Sequence, residues 1–387
     1  MKNMNKRFAL IIAFTTALGF TTLYYPIGSL QTYKERSSVL SPSPPHRDSK
    51  NRTNDSLNGT CRPHDQLVFV KTHKTGSTTL QLIIQIYGYY RNSSFVFNRG
   101  NERFGHIHYG NLKIDRLLPP VNVEKYAYNE YKSNFDISTG HLVYQRTLLD
   151  IVMKNSSKFI SLLRDPVHQF ESAFVYFGHT KKGNGSTEVQ IIKWLDAAKH
   201  DDRFLNNNQM LDLGLPAKDF RNQSAVALHI KKLSREIDLV LITEYFDESL
   251  LLLRKLMCWS FDDILYLKQK VRSSRSQPLS ESTKDKIRTW NEADTSLYEY
   301  FNETLWEKIK SYGPRFQHDL QYFKLKQTKL FNSCIGNATS EIVMAPALKI
   351  PRLMIKYNTL SNTTDYCTLM ANRQSDTFKR LWARQDN

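Results

Sequence analysis

The stretch Val68-Phe69-Val70-Lys71-Thr72-His73-Lys74-Thr75-Gly76-Ser77-Thr78-Thr79-Leu80 decides the fold. An apolar run stops at Lys71, small and hydroxyl residues gather around two lysines, and an apolar segment follows. Gln66 to Lys71 reads as a buried strand and Ser77 to Tyr87 as a helix. Their junction lies at the carboxyl end of a strand, where open α/β sheets bind ligands. A helix start offers unpaired N–H groups and a positive dipole end to an anion. Gly76 lets the backbone come close. Ser77, Thr78 and Thr79 add hydroxyl groups, and Lys74 adds charge. The stretch is expected to hold a phosphate.

The same pattern recurs downstream. "KFISLL" (Lys158 to Leu163) precedes a helical segment from about Pro166 to Phe177, and "DLVLIT" (Asp238 to Thr243) precedes one from about Asp247 to Met257. Short apolar runs alternating with helices predict a parallel sheet flanked by helices on both faces. The expectation is one α/β domain over residues 65–387, with no internal repeat. In "FISLLRDPVHQFESAFVYF", Arg164 ends a strand and Ser172 follows eight residues on, within the helix. Pro166 suits a first helical turn and Asp165 a cap. Arg164 is a fork-shaped donor at a strand's carboxyl end, a place that suits a phosphate.

Lysine order argues against an ATP-type loop, and so against a kinase. G-x-x-x-x-G-K-[ST] needs lysine after the second glycine. Here Lys74 precedes Gly76, and Lys71 stands where the first glycine would be.

The chain has 387 residues, 40% of them hydrophobic and 12% aromatic, and a formal net charge of +17. That charge fits nucleic acid, an acidic membrane surface or an anionic small molecule. No RNA-binding signature or compact Lys/Arg run favours the first, so no nucleic-acid partner is expected. Lys2, Lys6 and Arg7 precede the uncharged run Phe8 to Tyr25, which is about long enough to span a bilayer. A cleaved signal peptide is the competing reading. The run is long for one, and Ala-x-Ala spacing is missing at its end. The expected layout is a cytosolic tail (1–7), a transmembrane signal anchor (8–25), a Ser/Pro/Asn-rich stem (26–64) and a lumenal domain (65–387). Asn-x-Ser/Thr sequons at Asn51, Asn54, Asn58, Asn92, Asn155, Asn184, Asn222, Asn302, Asn337 and Asn362 fit a single-pass type II lumenal glycoprotein. Cys61, Cys258, Cys334 and Cys367 are spaced too widely for a compact zinc motif. An oxidising lumen permits up to two disulfides, in three complete connectivities.

The order Lys-Thr-Gly-Ser-Thr resembles the 5′-phosphosulfate loop of sulfotransferases that use 3′-phosphoadenosine 5′-phosphosulfate (PAPS). The Arg-x7-Ser spacing of Arg164 and Ser172 resembles the 3′-phosphate element of Golgi sulfotransferases. "KTHKTGSTT", "NNQMLDLGL" (Asn207 to Leu215) and "TEYFDESLLLLRKLMCWSFDDILYLKQ" (Thr243 to Gln269) resemble the galactose-3-O-sulfotransferases. The resemblance spans roughly Gln66 to Phe323 and implies a P-loop-like sulfotransferase fold in a Golgi membrane protein. It implies sulfuryl transfer from PAPS to the 3-hydroxyl of a terminal β-galactose on a glycolipid or glycan, with no metal required. Lys74 would neutralise the leaving oxygen. Lys71, Thr72, His73, Thr75, Gly76, Ser77 and Thr78 would cradle the 5′-phosphosulfate, and Arg164 with Ser172 the 3′-phosphate.

A base must take the acceptor proton, and a histidine suits the pH of the lumen. His141 in "DISTGHLVYQR" resembles the Gly-His element of related glycan 2-O-sulfotransferases. A hydrogen-bonded histidine at a strand end is the structural alternative. His73, His106 and His108 are rivals, and His73 lies within the loop, where it would also shape it. Asn207, Asn208, Gln209 and Asp212 are candidates for sugar recognition, against a loop followed by a helix cap. "SRSQPLSEST" (Ser274 to Thr283) reads as a mobile loop whose Arg275, with Arg272 just before it, could meet phosphate. Trp290 and Tyr298 read as core. Acceptor identity and oligomeric state are left open by the sequence. The remaining alternatives are the same chemistry on another sugar position and an inactive glycan-binding relative.

Overall fold

The structure is a computed structural model, and it describes residues 61–99, 113–180, 185–197, 202–269, 277–344, 351–361 and 363–386. Strand β1 (Leu67–Val70) leads into helix α1 (Ser77–Tyr90). Then come β2 (Ile137–Ser138), α2 (Arg146–Val152), β3 (Lys158–Leu163), α3 (Pro166–Tyr176), α4 (Thr187–Ala197), α5 (Asn208–Asp212) and α6 (Gln223–Glu236). β4 (Leu239–Ile242), α7 (Phe246–Met257), α8 (Glu281–Trp290), α9 (Glu292–Tyr312) and α10 (Phe316–Cys334) follow. The chain closes with an antiparallel pair, β5 (Ile335–Met344) and β6 (Pro351–Thr359), then α11 (Asp365–Ala371) and α12 (Gln374–Asp386).

The expected parallel sheet is present. Its order is β2-β1-β3-β4, with Leu67 opposite both Ile137 and Lys158, and Ile160 opposite Leu239. Both faces are covered, so β1 and β4 are apolar and buried from end to end. The strand read as Gln66 to Lys71 is shorter by one residue at each end, and the helix after it runs on to Tyr90. β3 matches its expected limits, and Asp165 caps α3 by accepting from the amides of Val167 and His168. β2 has only two residues, too few for periodicity to reveal, and is held by pairing with β1. From β1 the chain goes to one side, to β2, and then returns to β3 on the other side. That places a topological switch point between the carboxyl ends of β1 and β3.

A second apolar cluster forms under α3, where Val167, Phe170 and Phe174 pack with Ile191 and Ile287. Two disulfides, Cys61–Cys258 and Cys334–Cys367, select one of the three possible connectivities. The tail is part of the fold: the Gln385 side chain bonds both the amide and the carbonyl of Phe95. Ser280 caps α8 at Thr283, so the end of the segment expected to be a mobile loop is helical instead. Arg272 and Arg275 lie outside the described residues. Trp290 and Tyr298 are half-buried rather than fully enclosed. Among the described residues no helix is long and apolar enough to cross a membrane, and residues 8–25 lie outside them. Asn92, Asn155, Asn222 and Asn337 are exposed, Asn302 is half-buried, and the other five sequons lie outside the described residues.

Candidate active site

The loop from Lys71 to Gly76 leaves β1 at the switch point, and its own side chains fix its shape. Thr72 Oγ1 lies 2.8 Å from Thr75 Oγ1 and also bonds the Leu162 carbonyl of β3. Ser77 donates to the Thr72 carbonyl at 2.7 Å. Thr79 accepts from the Gln269 amide at 3.0 Å. These hydroxyls, expected to meet phosphate, are engaged in hydrogen bonds that fold the loop. The helix start carries the anion-binding capacity, because the amides of Gly76, Ser77 and Thr78 make no hydrogen bond among the described residues. Thr78, half-buried, adds its hydroxyl. Gly76 is exposed and has a φ of 76°, a left-handed conformation that glycine adopts without strain. Lys74 precedes it at a φ of 62°.

Neighbouring strands clamp this loop. Thr243, just past β4, donates to the Thr75 carbonyl at 2.5 Å and lies 2.9 Å from the Leu163 carbonyl. Arg164, just past β3, donates from Nη1 to the Lys74 carbonyl at 3.2 Å. Its Nε lies 4.0 Å from the Glu244 carboxylate. Lys74 Nζ sits 3.4 Å from the centre of the Tyr176 ring. Ser172 lies one helical turn before Tyr176 and one after His168, so these three share a face of α3. That face meets the loop through Tyr176 and meets Glu244 through His168, whose Nδ1 is 3.6 Å from Glu244. A hydrogen bond to Glu244, with the negative Asp165 and Glu244 nearby, raises the His168 pKa above its ordinary value, against the effect of burial.

Two histidines stand at the loop's other flank. His73 and His141 stack with ring centres 4.1 Å apart and planes 19° apart. Asp212, 1% exposed, accepts from the His73 amide at 2.7 Å and from its ring Nδ1 at 2.8 Å. In the neutral ring this leaves Nε2 as the acceptor. His141 is bonded at both nitrogens: Nδ1 lies 3.2 Å from the Lys71 carbonyl, and Nε2 lies 2.8 Å from Lys71 Nζ. His106 and His108 lie outside the described residues.

Lys71, His73, Lys74, His141 and Arg164 thus meet around one loop, with Ser172 on the adjoining helix face. Asn207, Asn208, Gln209 and Asp212 are buried and bonded inside the protein, so they organise the site and do not face a sugar. Reading the sequence missed Tyr176, Thr243 and Glu244. Tyr176 had a signal in its four-residue spacing from Ser172, and Thr243 in its place at the carboxyl end of the third apolar run.

Similarity to known proteins points to one family. A family model described as galactose-3-O-sulfotransferase matches residues 2–361. The chain belongs to the galactose-3-O-sulfotransferase family. It is 30% identical over 321 residues to galactosylceramide sulfotransferase of Bos taurus, covering 80% of this chain and 73% of the relative. It is 31% identical over 294 residues to the Mus musculus protein of that name, covering 73% of this chain and 66% of the relative, just under two thirds of its length. Galactose-3-O-sulfotransferase 2 of Homo sapiens is 29% identical over 283 residues.

Proposed function

We propose that this protein is a PAPS-dependent sulfotransferase that modifies the 3-hydroxyl of a terminal β-galactose on a glycolipid or glycan. One observation carries the reading: an anion-binding helix start with Lys74 and Arg164 converging on it, at the switch point of a parallel sheet, in a chain of this family. Glycolipid acceptors are favoured by the relatives, which include galactosylceramide sulfotransferases. We also propose a Golgi membrane protein of single-pass type II topology. The basic flank, the uncharged run over residues 8–25 and the sequons support it.

The residues present fit PAPS. The Gly76–Thr78 amides suit the 5′-phosphate, and Arg164 with Ser172 suits the 3′-phosphate. PAPS, when bound, supplies an activated sulfuryl group whose bisphosphate leaves. Lys74 neutralises charge building on the bridging oxygen, as preorganised donors do. For the base, the geometry favours His73 over His141. Asp212 fixes the His73 tautomer and leaves Nε2 to take the acceptor proton, the arrangement that a carboxylate–imidazole pair provides in general-base catalysis. His141 Nε2 already faces the Lys71 ammonium, so we give His141 the task of holding Lys71 beside the loop.

The deciding experiment incubates the protein with sulfur-labelled PAPS and a panel of galactosides, followed by linkage analysis of the product. The expected product carries sulfate at O3 of a terminal β-galactose. Label on another position, or none with adenosine bisphosphate still bound, would overturn the assignment in favour of another linkage or a non-catalytic relative.

A further inference from the structure

Gln209 is 0% exposed, yet it carries a polar side chain. Burying an amide is costly unless its hydrogen bonds are made. Both of its ends serve one neighbour. Its Oε1 accepts from the Arg164 amide at 2.8 Å, and its Nε2 donates to the Arg164 carbonyl at 2.9 Å. This is what an adjoining strand would offer. Along β3 the backbone groups of Lys158 and Leu162 face β1 and those of Phe159 and Leu163 face β4, so those of Arg164, one residue past the strand, face the β1 side, where the ladder has ended at Val70 and Ser161. On that edge, beyond the end of β1, the Gln209 amide stands in for a strand at Arg164. It thereby sets the backbone angles of Arg164 and the direction in which its side chain leaves.

The support behind Gln209 is rigid. Asp294 accepts from the amides of Gln209 at 3.1 Å and Met210 at 2.7 Å. In return the Asp294 amide donates to Asn207 Oδ1 at 2.9 Å, and the Asn207 amide donates to Asn291 Oδ1 at 2.7 Å. α5 and the start of α9 thus cap each other, and Gln209 is carried on a fixed base. Three residues along, Asp212 holds His73 from the same short helix. One element therefore sets both the loop and the arginine beside it.

We propose that Gln209 is a positioning residue for Arg164, and through it a determinant of selectivity for nucleotides bearing a 3′-phosphate. This rests on the reading of Arg164 as a 3′-phosphate ligand. The alternative is that Gln209 only satisfies two backbone groups, which would affect every nucleotide alike.

The test measures dissociation constants of adenosine 3′,5′-bisphosphate and adenosine 5′-phosphate for the full chain by calorimetry, and takes their ratio. Gln209→Met keeps the length of the side chain and loses both hydrogen bonds. It should lower the preference for the bisphosphate about tenfold, the effect of one well-placed charged hydrogen bond, and change binding of the monophosphate less than about twofold. Arg164→Ala should lower the same preference, and adding Gln209→Met to it should lower it no further, since coupled residues are not additive. Gln209→Asn keeps the amide but falls one methylene short. It should move the ratio in the same direction, and it serves if Gln209→Met does not fold. If Arg164→Ala lowers the preference while a folded Gln209 variant leaves it intact, or weakens both nucleotides equally, the inference is overturned. If Arg164→Ala itself leaves the preference unchanged, the 3′-phosphate reading fails, and the role given to Gln209 falls with it.

Discussion

Replacing Asp294 by asparagine should change how stability depends on pH. Asp294 is fully enclosed where α9 meets α5, and burial raises its carboxyl from 3.8 to about 7. The amides of Met210 and Gln209 oppose that rise, and the Asp212 charge adds to it. The folded protein therefore holds this proton more tightly than the unfolded chain. The resulting stabilisation is fully present below the unfolded value of 3.8 and is lost as pH rises through about 7. With those two values, linkage gives roughly 3 kcal/mol of stabilisation at pH 5 and almost none at pH 8. Asp294→Asn cannot titrate, so it lacks this dependence. It also leaves one of two amides without its acceptor, a cost of roughly 1–3 kcal/mol that does not vary with pH. The assay is urea unfolding of parent and variant at pH 5, 6, 7 and 8. The gap in unfolding free energy should shrink by roughly 3 kcal/mol between pH 5 and pH 8. A gap constant to within about 0.5 kcal/mol would refute the reasoning and show that Asp294 stays ionised across the range.

Lys74→Ala should fold and bind adenosine bisphosphate while turnover drops on the order of 10²–10³-fold, as when one transition-state donor is removed; near-normal turnover in single-turnover assays would exclude the role. Arg164→Ala and Ser172→Ala should raise the Michaelis constant for PAPS more than they lower turnover, since the 3′-phosphate does not react; steady-state kinetics in varied PAPS reads the split. His73→Gln should lose ~10²–10⁴-fold in turnover and flatten the acidic limb of the pH–rate profile, with His141→Gln keeping that limb; the reverse pattern would return the base role to His141. Losing the Cys61–Cys258 bridge, which closes a separation of 197 residues, should cost about 5 kcal/mol on chain-entropy grounds, against about 4 for Cys334–Cys367 at 33. Comparing urea midpoints of Cys61→Ser and Cys367→Ser checks the order.

The three longer strands and the helices that follow them are legible because their signal is local. Runs such as "LVFV" and "LVLI" are apolar whichever partner they meet, and Gly76 or Pro166 marks a boundary by its own backbone preference. The loop between β1 and α1 is legible as a strand–helix junction for the same reason. β2 is not legible, because two residues carry no period. Asn207, Asn208, Gln209 and Asp212 mislead for a chemical reason. Amides and carboxylates that recognise a sugar have the same composition as those that satisfy a buried network, and only exposure separates the two cases.

His141 and His73 show where reading along the chain ends. Each is a histidine beside small and polar residues, and nothing local ranks them. The partners that rank them are distant in sequence: Asp212 reaches His73 from 139 residues away, and Lys71 reaches His141 from 70. The cysteines are alike in this respect, since four thiols allow three pairings until the fold brings Cys61 to Cys258. Sequence by itself determined the three longer strands, the helices after them and the loop between β1 and α1, because backbone preferences and side-chain periodicity act over a few residues. Tertiary structure decided which histidine has a free acceptor nitrogen, which hydroxyls are spent on the loop, and what aims Arg164. Those depend on hydrogen bonds whose two ends meet only when the chain is packed.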